Sequence, residues 1–131
     1  DTVAVGGLTA TGTYALGAGT DVITATNGAS IAGVNSGGVT TAETLSFAGG
    51  ITMTDAQYDG FTTITAAGGS DSITLSDAAT VAADSGVETY VLANATNSVT
   101  ATAATNVTGG TGADTVAVGG LTATGTYALG A

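Results

Sequence analysis

The sequence predicts an all-β fold, a parallel β-solenoid (β-helix or β-roll) of about five coils per 113-residue repeat, and three observations carry that expectation. First, the run Asp1-Thr-Val-Ala-Val-Gly-Gly-Leu-Thr-Ala-Thr-Gly-Thr-Tyr-Ala-Leu-Gly-Ala18 returns letter for letter as residues 114–131. Residues 1–113 are therefore expected to form one tandem repeat unit and residues 114–131 the start of the next, as in a window cut from a longer array. Second, short alternating runs of Thr, Val, Ile and Ala follow Gly-rich turns along the whole chain, which is how half-buried strands read. Third, there is no Pro, and Pro would delete a ladder hydrogen bond wherever a strand is central.

Composition disfavours the other classes. Gly recurs every few residues and Thr and Val fill the intervals, both unfavourable in helix interiors. A disordered chain would be poor in β-branched residues and rich in Pro, Glu and Lys, the reverse of what is found. Eight Asp and two Glu give a net charge of −10 with no Lys, Arg or His to pair with them, so cations from solution must balance the chain. Nucleic acid is not expected as a partner, because each phosphate contact wants a Lys or Arg. No membrane insertion is expected either, because no apolar run approaches the roughly 18 residues of a span. The absence of Cys rules out a disulfide scaffold and leaves secretion open.

The openings of the strands phase the coils. Gly17-Ala-Gly-Thr-Asp21 leads into Val22-Ile-Thr-Ala-Thr26, Gly68-Gly-Ser-Asp71 into Ser72-Ile-Thr-Leu-Ser76, and Ala95-Thr-Asn97 into Ser98-Val-Thr-Ala-Thr102. Gly109-Gly-Thr-Gly-Ala-Asp114 leads into Thr115-Val-Ala-Val118, and Gly49-Gly50 into Ile51-Thr-Met-Thr54 without an Asp. Coils are thus expected to begin at Asp1, Asp21, Ile51, Asp71 and Asn97. A second alternating run closes each one, at residues 13–16, 43–47, 62–66, 88–92 and 106–108, with 8–11, 30–32 and 80–82 as candidate third sides. Period-two alternation turns Tyr14, Leu16, Leu45, Phe47, Thr62, Ile64, Ala66, Tyr90 and Leu92 inward. Residues 27–41 and 76–87 are expected to project as loops. Parallel strands stacked about 4.8 Å apart would advance a fibre by about 24 Å per repeat.

At Gly109-Gly-Thr-Gly-Ala-Asp-Thr-Val-Ala117 the chain matches the nonapeptide G-G-x-G-x-D-x-U-x in full, and there it resembles the RTX family of type I-secreted bacterial proteins. Leu16-Gly-Ala-Gly-Thr-Asp-Val-Ile-Thr24 is similar and lacks only the first Gly. Residues 66–74 keep Gly69, Asp71 and Ile73; residues 46–54 keep Gly49 but have Ile51 where Asp belongs; residues 92–100 have Asn97 and no Gly. The runs Gly86-Val-Glu-Thr-Tyr-Val-Leu92, Ala42-Glu-Thr-Leu-Ser-Phe47 and Gly60-Phe-Thr-Thr-Ile-Thr65 also resemble segments of bacterial S-layer proteins and giant surface adhesins. The resemblance implies a secreted protein, extracellular or at the cell surface, with calcium as cofactor and Asp1, Asp21, Asp71 and Asp114 as metal ligands.

A physical argument for calcium stands beside the resemblance. A hard cation takes about six to eight oxygens, which Gly-turn carbonyls and Asp carboxylates would supply. Stacked like charges about 5 Å apart are unfavourable without a cation between them or solvent to screen them. Asp1 and Asp21 are expected as neighbours in successive coils, and Asp71, Asn97 and Asp114 as successors at one corner. The competing reading makes all of these turn residues that bond nearby backbone.

Catalysis finds no footing. Without His, Cys or Lys there is no ordinary nucleophile and base pair, so the chain is not expected to be an enzyme. Asp55 and Asp59 flank Tyr58 in the manner of a glycosidase carboxylate pair, but a solvated loop with a tight turn at Asp59-Gly60 accounts for them. Glu43 and Glu88 open second strands, where capping of backbone N–H groups is expected, and Tyr58 and Phe61 read as packing. Thr9-Ala-Thr11, Thr24-Ala-Thr26, Thr52-Met-Thr54 and Thr100-Ala-Thr102 are similar to the rows of ice-binding solenoids. Those rows break at Val3-Ala-Val5 and Ile73-Thr-Leu75, and β-propensity accounts for the Thr content.

The expected function is a structural repeat of an extracellular filament or cell-surface layer. Its partner is itself, with links stacked coil on coil and filaments touching side by side. The alternative is an adhesive or binding module, for a glycan, a surface or another cell, on a β-solenoid stalk. With no Lys or Arg, a trypsin-like protease has nothing to cut.

Overall fold

The computed structural model describes residues 1–5, 9–12, 20–34, 43–101, 105–118 and 125–130. Over these residues the chain is a parallel β-solenoid of stacked coils. In chain order its strands are β1 (Thr2–Val5), β2 (Thr9–Gly12), β3 (Val22–Ala25), β4 (Ala29–Val34), β5 (Glu43–Phe47) and β6 (Gly50–Met53). A six-residue helix, α1 (Asp55–Gly60), precedes β7 (Phe61–Ala66) and β8 (Ser72–Leu75). Then come β9 (Thr80–Ala82), β10 (Thr89–Val91), β11 (Asn97–Ala101), β12 (Asn106–Thr108), β13 (Asp114–Val118) and β14 (Tyr127–Ala128).

The chain alternates between two walls. All even-numbered strands form one seven-stranded sheet in the order β14-β12-β10-β8-β6-β4-β2. The odd-numbered strands form the other wall, divided into a four-stranded sheet β1-β3-β5-β7 and a three-stranded sheet β13-β11-β9. Every pairing is parallel. A coil is two strands and two turns, and level neighbours are about one coil apart in sequence, as Ile51 is with Ile73 and Thr89 with Asn106.

This arrangement corrects the phasing read from the sequence. The strands opening after Asp21, Asn97 and within residues 114–118 lie on the odd wall, whereas those opening at Ile51 and after Asp71 lie on the even wall. Gly turns mark both corners of a flattened coil, and alternation looks the same on either wall, so nothing local separates the two. The expected loops 27–41 and 76–87 likewise contain wall strands, β4 and β9. Residues 35–42 and the run 13–16 lie outside the described residues.

Alternation decides what is inside. Ala29, Ile51, Ile73, Tyr90 and Val107 stand level on the even wall, and all are buried. Ile23 and Leu45 do the same on the odd wall. Each fully buried side chain of this size contributes about 1.5–3 kcal/mol. The expected inward residues Leu45, Phe47, Tyr90 and Leu92 are buried, and Ile64 and Ala66 partly so. Thr62 instead faces solvent. A register shift between Glu43 and Thr44, opposite Phe61 and Thr63, gives the inward place to Phe61.

Between β7 and β9 the odd wall carries no ladder. Helix α1 and two tyrosines lie at this gap. Thr54 caps the helix with a complete capping box, its side chain accepting from Gln57 N while Gln57 Oε1 accepts from Thr54 N. The buried Gln57 also donates through Nε2 to Ile31 O. Tyr58 and Tyr90 meet edge to face, ring centroids 6.0 Å apart, with their hydroxyls 3.0 Å apart. Tyr58 O–H donates to Ala82 O at 2.7 Å, so the carbonyl of β9 that a neighbouring strand could take is satisfied by a side chain. The solvated loop expected around Asp55 and Asp59 is therefore a capped helical turn, packed on its Gln57 and Tyr58 side.

Candidate functional site

The corners where strands begin hold the sequence-derived site residues, and a common geometry runs through them. At each of three corners a side-chain oxygen accepts an N–H group from the coil before it. Asp21 Oδ1 pairs with the terminal ammonium of Asp1 at 2.6 Å, while Asp71 Oδ1 accepts from the backbone N–H of Gly49 at 2.5 Å and Asn97 Oδ1 from that of Ala79 at 3.0 Å. Asp21, Asp71 and Asn97 are all buried, though each is a residue type ordinarily exposed. Burial of an acceptor is tolerable only when it is bonded, and turns leave N–H groups that the ladder does not take. Glu88 adds a fourth such contact, Oε2 accepting from Asp71 N at 2.7 Å, in line with the capping role expected for it.

The four expected metal ligands are not gathered in one place. Asp1 and Asp21 are neighbours, as expected, with Asp1 78 % exposed and Asp21 2 %. Asn97 and Asp114 are neighbours too, Asn97 Nδ2 donating to Asp114 Oδ1 at 2.7 Å. Asp71 does not continue that row, because it lies at the even wall beside Gly49 and Glu88. Among the described residues no three His, Cys, Asp or Glu side chains converge as a metal-binding group.

The corner of Asn97 explains why one unit departs from the Asp pattern. Its amide nitrogen lies 3.0 Å from Ala93 O, 2.9 Å from Ala95 O and 2.7 Å from Asp114 Oδ1, so three oxygens converge on a single NH2 group and share its two hydrogens. An oxygen cluster that a cation could serve is served here by the protein's own donor. Glycine is required where these turns touch. A Cβ on Gly110 would meet Ala93 O, and one on Gly109 would overlap the Asp114 carboxylate. The full glycine signature of residues 109–112 thus reflects close stacking of one turn on the next.

A cation is tested by what remains unpaired. Asp21 Oδ2, Asp71 Oδ2 and Asp114 Oδ2 are buried and without a hydrogen-bond partner. Orphaned carboxylate oxygens fit a hard cation, although the first oxygen of each already accepts an N–H or amide donor. At Asn97 the fit fails, since the amide stands in the cation's place.

The remaining candidates resolve into structure. Asp55 Oδ1 accepts from Thr80 N and Asp77 Oδ1 from Asp55 N, so Asp55 ties α1 to the next corner. Partial burial raises the Asp55 pKa above its usual 3.8, with the charges of Asp59 and Asp77 adding to the rise against the Thr80 bond. Tyr58 and Tyr90 are both pushed above the ordinary phenol range, chiefly by burial. The sequence carries one signal for this region, because Thr54-Asp-Ala-Gln57 is a capping-box pattern. A shallow groove of about 390 Å³ lies between Thr24, Thr26, Asn27, Ser46 and Phe47 and contains no titratable group. No family model matches the chain, and neither a curated protein nor a solved structure is matched by it.

Proposed function

We propose that the chain is a structural link, one repeat of an extracellular filament or cell-surface layer whose links stack coil on coil. The observation that carries this reading is the placing of the repeated segment. β1 is the outermost strand of the four-stranded sheet and β13, with the same letters, the outermost of the three-stranded sheet. β13 lies on β11 in full parallel register, so the repeated segment is laid down as a further coil, and a ladder continued in this way leaves no edge between links. The unbroken ladder of the even wall and the absence of Lys and Arg suit a protein exposed to proteases.

The test is length. Arrays of two, four and eight repeats imaged by electron microscopy should lengthen by about 24–29 Å per link at constant width, the rise of five or six rungs. Separate beads joined by thin linkers would overturn the reading.

Calcium belongs to the same proposal at the corners of Asp21 and Asp71, where buried oxygens lack partners. A cation held there would neutralise Asp71, which has no cationic group beside it, and Asp21, which has only the terminal ammonium of Asp1, and binding to the folded state alone would raise stability with concentration. A multi-link array should melt lower in chelator and recover in calcium but not magnesium. An unchanged melt at constant ionic strength would leave these residues as turn caps alone.

A further inference from the structure

We propose that the Asn97 side chain is the clasp between successive links and stands in for a cation there, so that the joint between links holds when divalent cations are withdrawn while the Asp71 corner inside each link loosens. The inference rests on the reading of the chain as stacked links with calcium at the Asp71 corner, and it adds which joint needs no ion. Asn97 opens β11, the last odd-wall strand of the 113-residue unit, and Asp114 opens β13, the first strand of the next. The two strands pair in register from Asn97 with Asp114 to Ala101 with Val118. The corner of Asn97 is therefore the joint. It lies within the stack, with Ala79 in the coil before it and Leu129 stacked over the Gly109 turn beyond it.

One buried side chain ties three successive coils at this corner. Asn97 Oδ1 accepts from Ala79 N in the coil before, and Nδ2 lies among Ala93 O and Ala95 O of its own turn and Asp114 Oδ1 of the next link. A hydrogen bond to a carboxylate is stronger than one between neutral groups, and an amide neither titrates nor dissociates. Asn94 adds a second crossing of the joint, its Oδ1 accepting from Thr111 N at 3.0 Å. Asp114 Oδ2 is left over, but it offers a cation one oxygen beside an occupied amide, where about six to eight are wanted. The Asp71 corner has the opposite character. Its carboxylate can only accept: Oδ1 takes Gly49 N, Oδ2 has no partner, and the next coil brings a second carboxylate, Glu88, which accepts from Asp71 N. An amide and a carboxylate have nearly one shape, so nitrogen in place of oxygen decides whether a corner calls for an ion. Links deprived of cations should therefore loosen from within and stay clasped to one another.

Amide hydrogen exchange of the full chain, followed residue by residue by NMR in calcium and in chelator at constant ionic strength, tests this. In the wild type the amides of β11 and β13 should keep their protection in chelator, while those of β6 and β8, which meet at the Asp71 corner, lose it. Asn97→Asp sets a second carboxylate against Asp114 and two carbonyls. It should lower protection at β11 and β13 by about 10- to 100-fold in chelator, the worth of one or two hydrogen bonds to a charged group, and calcium should restore it. Swapping the pair, Asn97→Asp with Asp114→Asn, returns one donor to the joint and should recover part of the protection without calcium. The swap also decides the matter if the single variant does not fold. Equal loss at both corners of the wild type, or a swapped chain no more stable in chelator than Asn97→Asp, overturns the clasp. A wild type indifferent to chelator throughout, with Asn97→Asp still loosened at the joint, would overturn calcium at Asp71 while supporting the clasp.

Discussion

The two walls of the solenoid are built from the same residue types yet solve continuity differently. The even wall runs through seven strands without a break, held by a level row of Ala29, Ile51, Ile73, Tyr90 and Val107. The odd wall stops after β7 and resumes at β9, and the gap is associated with α1 and two phenols. A ladder satisfies backbone groups by repetition, so no single residue in it is indispensable. A gap must satisfy them with particular side chains, and those become specific points of failure.

That contrast can be broken or sharpened by mutation. The largest effect is expected from Tyr90→Ala, which empties a fully buried ring site at the gap and should cost about 3–5 kcal/mol, against about 2–5 kcal/mol for Ile73→Ala beside it. Urea melts of both variants decide it, and a smaller loss for Tyr90→Ala would mean that the gap is no more fragile than the ladder. Tyr90→Phe keeps the ring but leaves Asp84 N and the Tyr58 hydroxyl without their partner, a loss of about 1–3 kcal/mol.

Alkali probes the same pair. Both phenols have folded pKa values above the ordinary 10.0, so their contribution is full below about pH 10 and is lost as pH rises through the folded values. Tyrosinate absorbance should therefore appear in two phases, with Tyr58 and Tyr90 ionising together with unfolding. A single phase at the ordinary phenol pKa would contradict their burial.

Thr54→Ala removes one half of the capping box and should cost about 0.5–2 kcal/mol. The smallest effect is expected from Asp55→Asn, which keeps an acceptor for Thr80 N while deleting a charge. Because the folded pKa of Asp55 is raised, the wild type is relatively most stable below about pH 3.8 and loses that advantage as pH rises through the folded value. The variant should therefore melt slightly higher than wild type at neutral pH and no higher in acid.

Much of this was legible in the sequence because the determinants are periodic. Repetition of residues 1–18, alternation and glycine turns were enough for a parallel solenoid and for the inward placing of Leu45, Phe47, Tyr90 and Leu92. Which wall a strand joins was not legible, since Asp21 and Asp71 head similar motifs yet lie at the odd and even walls. The short helix was hidden by a chain-wide preference for strand, although its cap residues Thr54 and Gln57 announced it. At the candidate site the sequence paired Asp1 with Asp21 and Asn97 with Asp114. It could not show that Asn97 places an amide among three oxygens, because two of those are carbonyls whose positions depend on how one turn sits on another.

The unpaired step between β7 and β9 also bears on mechanics. Under tension along the stack the load is shared by two ladders wherever both walls are paired, but at this step the even wall alone, through β8 and β10, joins one coil to the next by strand pairing. A filament of such links would yield first at that level, once per repeat, and stretch by opening one joint in each link before any full ladder tears.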